Sequence, residues 1–189
     1  MLAERMPPLP IAAMTERQRA AADELTAGPR KGVKGPFIAL MRSPELMARL
    51  QKVGEYLRFY SAIPPRLSEF ATLIVARQWT QQFEWAIHVP LALKAGCAPE
   101  TIAALAEGAR PERMSRDEAI VYDFAIELAR YRGVADATYD AACGAFGEQG
   151  IVDLVAILGY FATVSMILNV AQTPAEQGSE GYRLSPLSR

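Results

Sequence analysis

The stretch QQFEWAIHVPLALKAG, residues 81–96, holds the only histidine of the chain, His88. Glu84 precedes it by four residues, one helical turn. A carboxylate beside an imidazole raises the ring's basicity and fixes its tautomer. In a dry pocket lined by aromatics, such a pair can move a proton near neutral pH. At the helical period Arg77, Gln81, Glu84 and His88 fall on one polar stripe, with Trp79, Phe83, Trp85, Ile87 and Leu91 mostly on other faces. By periodicity alone the same pair is more often a solvated structural contact. With one histidine, a metal site would need Glu69, Glu84 or another carboxylate to complete it. No H-E-x-x-H or Glu-x-x-His pattern is present. Cys97 lies beyond Gly96, past the end of the helix that carries His88, and reads as a small apolar filler. Cys97 and Cys143 form no C-x-x-C pair.

Helix signals position these residues. Residues 12–27 are Ala-rich and charged, and Gly28-Pro29 ends them. The loop PRKGVKG (29–35) follows and reads as solvated. Ser43 and Pro44 open a helix whose apolar face is Leu46, Leu50, Val53 and Leu57. Pro64-Pro65 breaks it. Residues 67–95 predict two helices with a bend near 79–81, the second kinked by Pro90 and stopped by Gly96. A short helix runs from Pro99 to Gly108. Ser115 and Glu118 make a capping box for the next, which ends at Gly133. Asp136 is the expected N-cap of a shorter helix ending near Gly150, before the apolar stretch 151–170. That predicts an all-α, single-domain bundle of about seven helices. Its expected segments are an N-terminal helix and loop (1–34), a main domain (35–173) and a polar tail (174–189) that is either disordered or straps a neighbour.

The 189 residues carry a net charge of −1, which leaves no basic excess for nucleic acid. The cysteine usage suggests a reduced, cytoplasmic chain. No convincing signal peptide is present. Residues 151–170 are long and apolar enough for a membrane span. Asp153, Thr163, Ser165 and Asn169 and the missing basic flank favour a helix buried on all faces. In so small a domain that burial requires a partner subunit, so a homo-oligomer and no membrane are expected.

Residues 64–108 resemble the carboxymuconolactone decarboxylase family, whose superfamily includes the alkylhydroperoxidase D-like proteins. The likeness rests on Glu69 in the first helix, on QFEWAIHVPLALKAG, and on EQGIVDLVAILGYFATVSMILN (148–169) downstream. It runs in order over roughly residues 35–169 and implies a compact all-α subunit assembled into trimers or hexamers. In the alkylhydroperoxidase D branch, two cysteines before the histidine reduce peroxides through a disulfide, and the histidine and the upstream glutamate form a proton relay. Here those two places hold Gln81 and Glu84, which form no thiolate. The decarboxylase branch also lacks the pair and works without metal or organic cofactor. The resemblance implies His88, Glu69 and Glu84 as catalytic residues. Arg66 and Arg77 are candidates to hold a substrate carboxylate by chemical plausibility, and Gln81 and Trp85 join them as substrate-binding candidates from the same block.

One geometric condition follows. Nineteen residues separate Glu69 from His88. On one straight helix they would point roughly 100° apart and stand more than about 25 Å from each other. The relay needs the bend near 79–81 or a neighbouring subunit. The expected function is a cofactor-free lyase or proton-transfer enzyme on a small carboxylated lactone or related aromatic-degradation intermediate. The alternatives are a non-catalytic small-molecule-binding oligomer and, third, a peroxide reductase.

Overall fold

Proline and capping side chains set where the helices begin. The computed structural model describes residues 3–28, 31–175 and 180–186. Among these are eight α-helices and no strand: α1 (Glu16–Ala27), α2 (Pro36–Leu40), α3 (Pro44–Phe59), α4 (Pro65–Gln78), α5 (Gln82–Ala95), α6 (Pro99–Ala106), α7 (Arg116–Tyr131) and α8 (Asp136–Ala171). Pro36, Pro44, Pro65 and Pro99 each open a helix, where a missing donor costs nothing and φ is preset. Ser115 and Glu118 form the expected capping box of α7.

The all-α expectation holds, with several differences of detail, and Leu46 and Val53 of the expected apolar face of α3 are exposed. The short helix α2 lies where only a loop end was expected, because five residues carry too little periodicity to read. The two last helices run as one, α8, with a kink at Gly147, whose φ of 69° is left-handed. Ala135, not Asp136, is the N-cap of α8. The helix α5 continues through Pro90.

The helix α4 is the hub. It packs on α5, α6, α7 and α8, and nearly every residue from Leu67 to Arg77 is buried. Phe70 and Leu73 are fully buried, each worth about 1.5–3 kcal/mol of transfer free energy. A second cluster of Leu25, Phe37, Leu40, Met41 and Met47 joins α1, α2 and α3. The helix α8 is long and apolar enough to cross a bilayer, with 44% of its most apolar window buried. Leu154, Ile157, Phe161, Val164 and Leu168 form its buried side, while Val152, Val155, Met166 and Val170 are exposed.

Part of the polar tail lies outside the described residues (176–179 and 187–189), as do Pro29 and Arg30 of the expected loop. The described part of the tail straps its own chain. Gln82 donates to the Tyr182 carbonyl and accepts from the Leu184 amide, and Leu184 is buried in the main core.

Candidate active site

The turn at residues 79–81 builds the site. Thr80 takes a left-handed φ of 45°, and the Gln81 side chain accepts from the Phe83 and Glu84 amides to cap α5. The chain reverses there, and α5 folds back along α4. Glu69 on α4 and Glu84 and His88 on α5 therefore converge. His88 Nδ1 donates to Glu69 Oε2 at 2.6 Å, and His88 Nε2 lies 3.3 Å from Glu84 Oε2. The imidazole is held between two carboxylates, with its side chain 6% exposed and those of Glu69 and Glu84 15% and 6% exposed. Its edge meets the Phe161 ring, with centroids 5.0 Å apart at 84°.

A neutral imidazole has one N–H and cannot donate to acceptors on both sides. The arrangement suits the imidazolium. Burial alone would lower the His88 pKa, but hydrogen bonds to Glu69 and Glu84 and the two negative charges outweigh it and raise the pKa to about 9. Near neutral pH the ring carries both protons. Both nitrogens face carboxylates, which leaves no ring lone pair for a metal. Among the described residues no cluster of three or more His, Cys, Asp or Glu is arranged to hold one.

A cavity of about 300 Å³ opens onto His88 and Glu84. Its walls come from four places: Phe83 and Ile87 on α5, Tyr160, Phe161 and Val164 on α8, Arg58 on α3, and Lys34, Pro36 and Phe37 at the loop leading into α2. That volume is at the small end for ligand sites and suits a single-ring molecule. A larger groove of about 600 Å³ lies between α4, α7 and α8. Among the described residues its lining is apolar apart from Gln78 and Arg130, and no acid–base pair faces it. The smaller cavity is where proton chemistry is possible.

The other sequence candidates stand elsewhere. Arg66 pairs with Asp117 and Glu118, both at 2.6 Å, at the start of α7. Arg77 is buried and donates to the carbonyls of Ala106 and Ser185, so it anchors α6 and the tail. The bend that brings Glu69 to His88 also removes Arg77 from the α5 stripe. Gln81 spends its side chain on the α5 cap and on Asn169. Trp85 lies in the main core. None of the four lines the His88 cavity. Cys97 and Cys143 are free thiols, and neither lines it. Burial, together with the Glu118 charge, pushes the Cys97 thiol up to about 11, the opposite of an activated nucleophile. Sequence reading missed Arg58, Lys34, Tyr160 and Phe161 as cavity residues. In sequence Lys34 reads as part of a solvated loop, and no periodic signal joins four separate elements.

Residues 44–119 match the Carboxymuconolactone decarboxylase family. Glu69, Glu84, His88 and Arg58 lie inside that segment, and the α2 and α8 walls lie outside it. The structure resembles that of an uncharacterized peroxidase-related protein from Ralstonia eutropha JMP134, described as an alkylhydroperoxidase AhpD core. The TM-score is 0.73 at 14% identity over 93% of each chain. It also resembles an uncharacterized peroxidase-related protein from Silicibacter sp. TM1040, with a TM-score of 0.71 at 12% identity over 97% of each chain. At such identity the likeness establishes the fold. No curated protein matches the sequence significantly.

Proposed function

We propose that this chain, of which residues 44–119 match the Carboxymuconolactone decarboxylase family and whose fold resembles that of an alkylhydroperoxidase AhpD core, is a proton-transfer enzyme of the lyase type. Its substrate would be a small carboxylated lactone or related aromatic-degradation intermediate. The observation that carries the reading is the buried Glu69–His88–Glu84 arrangement at the floor of an aromatic cavity.

The 2.6 Å contact to Glu69 holds the ring, and the longer Nε2 contact lies beside Glu84, which lines the cavity with His88. In the proposed reaction the carbon–carboxylate bond of the substrate breaks and carbon dioxide leaves. The bonding pair moves into the conjugated lactone carbonyl, so the substrate supplies its own electron sink. The Nε2–H of the imidazolium then protonates the resulting carbanion-like carbon. Glu84 stabilises the ring and passes it a proton from solvent, which closes the cycle. One proton is consumed per carbon dioxide released.

A peroxide reductase on the same scaffold would need a redox thiol pair, and the resemblance implies that Gln81 and Glu84 stand in its place. The exposed apolar face of α8 supports assembly of several copies. The direct test is consumption of a carboxymuconolactone by purified protein, followed by loss of the lactone's ultraviolet absorbance. His88→Asn should slow it by about a hundredfold or more. No consumption by folded parent protein would sink the lyase reading and leave a binding protein.

A further inference from the structure

The mouth of the His88 cavity carries charge that the relay does not use. Arg58 and Lys34 both line it, and Glu84 is the only acidic residue among the described residues of the lining. Glu84 is already held against His88. Among the described residues, Glu69, Glu84 and the His88 imidazolium sum to one negative charge, and Arg58 and Lys34 bring the group to one positive charge.

Arg58 is also singular among the described arginines. Arg49, Arg66 and Arg110 pair with carboxylates. Arg5, Arg19, Arg42 and Arg77 donate to backbone carbonyls. Arg17, Arg113, Arg116, Arg130, Arg132 and Arg183 are exposed to water. Arg58 is half-buried, and no carboxylate or hydrogen-bond partner accompanies it among the described residues. Its neighbour is the Phe59 ring, 5.4 Å from the guanidinium carbon. A half-buried guanidinium with five donors facing a cavity is a ready receptor for a planar anion.

We propose that Arg58, assisted by Lys34, is the anion-binding and specificity-determining end of this cavity. It receives a carboxylate of a single-ring ligand and sets the opposite side of the ring against His88. This rests on the proposed lyase site and adds a constraint to it. A cation on the carboxylate that is lost would stabilise the ground state and slow the reaction, since only interactions stronger in the transition state accelerate it. The carboxylate at Arg58 is therefore the one the product retains.

The test is calorimetric titration with benzoate as the probe, beside benzyl alcohol, its uncharged analogue of similar size. The proteins are the parent, Arg58→Gln, Arg58→Lys and, as an exposed control, Arg113→Gln. Circular dichroism checks that each is folded. Benzoate should bind the parent, weaken about tenfold or more with Arg58→Gln, and weaken less with Arg58→Lys. Benzyl alcohol and the Arg113→Gln control should change little. Equal benzoate affinity in parent and Arg58→Gln would overturn the proposal. So would an equal loss for benzyl alcohol, or no benzoate binding by the parent. The readout is independent of turnover. An Arg58 effect without lactone consumption would keep the anion site and sink the lyase reading, and consumption without an Arg58 effect would do the reverse.

Discussion

Glu69 Oε2 and His88 Nδ1 lie 2.6 Å apart although nineteen residues separate them. They meet because Thr80, in a left-handed conformation, and the Gln81 cap turn the chain between α4 and α5. The pair is formed within one chain, so no neighbouring subunit is needed to complete it. Glu69→Gln keeps the shape of the contact and removes its charge. It should lower lactone turnover by about tenfold or more and lower the His88 pKa. Steady-state kinetics and NMR titration of the same variant check both, and an unmoved pKa would remove Glu69 from the relay.

His88 is the only histidine, so its ring signals report one site without ambiguity. Its pKa is raised to about 9 from an ordinary 6.5. A raised histidine pKa contributes stability that is fully present below about pH 6.5 and is lost as pH rises through about 9. The contribution is on the order of 3 kcal/mol from the size of the shift. Thermal melts should fall across that window in the parent and stay flatter in Glu69→Gln. If the imidazolium is the acid, turnover should fall over the same upper limb.

Gly35 forms the hinge into α2 with φ of 54° and touches the cavity wall. A Cβ there would stand 2.5 Å from the Phe83 ring. Gly35→Ala carries both backbone strain and a clash and should cost about 1–3 kcal/mol. Gly133→Ala meets no atom within 4 Å and should be close to neutral. Urea unfolding of the two variants gives the comparison. Equal midpoints would mean that the loop yields and that the wall is soft.

Val152, Val155, Met166 and Val170 are exposed, and at 100° per residue they fall within about 60° of arc on α8. With Gly159 and Thr163 between them they form one small-residue, apolar stripe. Sedimentation should find a homo-oligomer. Val155→Lys should lower its mass while leaving the helical circular dichroism intact. A monomeric parent would show that the stripe serves another purpose.

Neither cysteine lines the His88 cavity, and burial holds the Cys97 thiol well above the reactive range. Alkylation of native protein with iodoacetamide should leave lactone turnover within about twofold, since structural thiols away from the chemistry are inert. Loss of activity in step with thiol modification would favour a thiol-dependent reaction.

Much of the local structure was legible in the sequence because its causes are local. Proline at the first helical position, the Ser115–Glu118 capping box, Gly96 at a helix end and the break at 79–81 each act over a few residues. They determined an all-α chain, and the Glu84–His88 spacing put the acid–base pair on one face. The roles of Arg66, Arg77 and Arg58 could not be assigned that way. All three are arginines at helix positions with the same intrinsic chemistry. Tertiary packing gave Arg66 to Asp117 and Glu118, gave Arg77 to the tail, and left Arg58 at the cavity mouth with no carboxylate or hydrogen-bond partner among the described residues. The physical reason is that an ion pair or a cavity depends on distances of a few ångströms between elements far apart in the chain. Such distances follow from how α3, α5, α8 and the α2 loop pack together, which no single segment specifies.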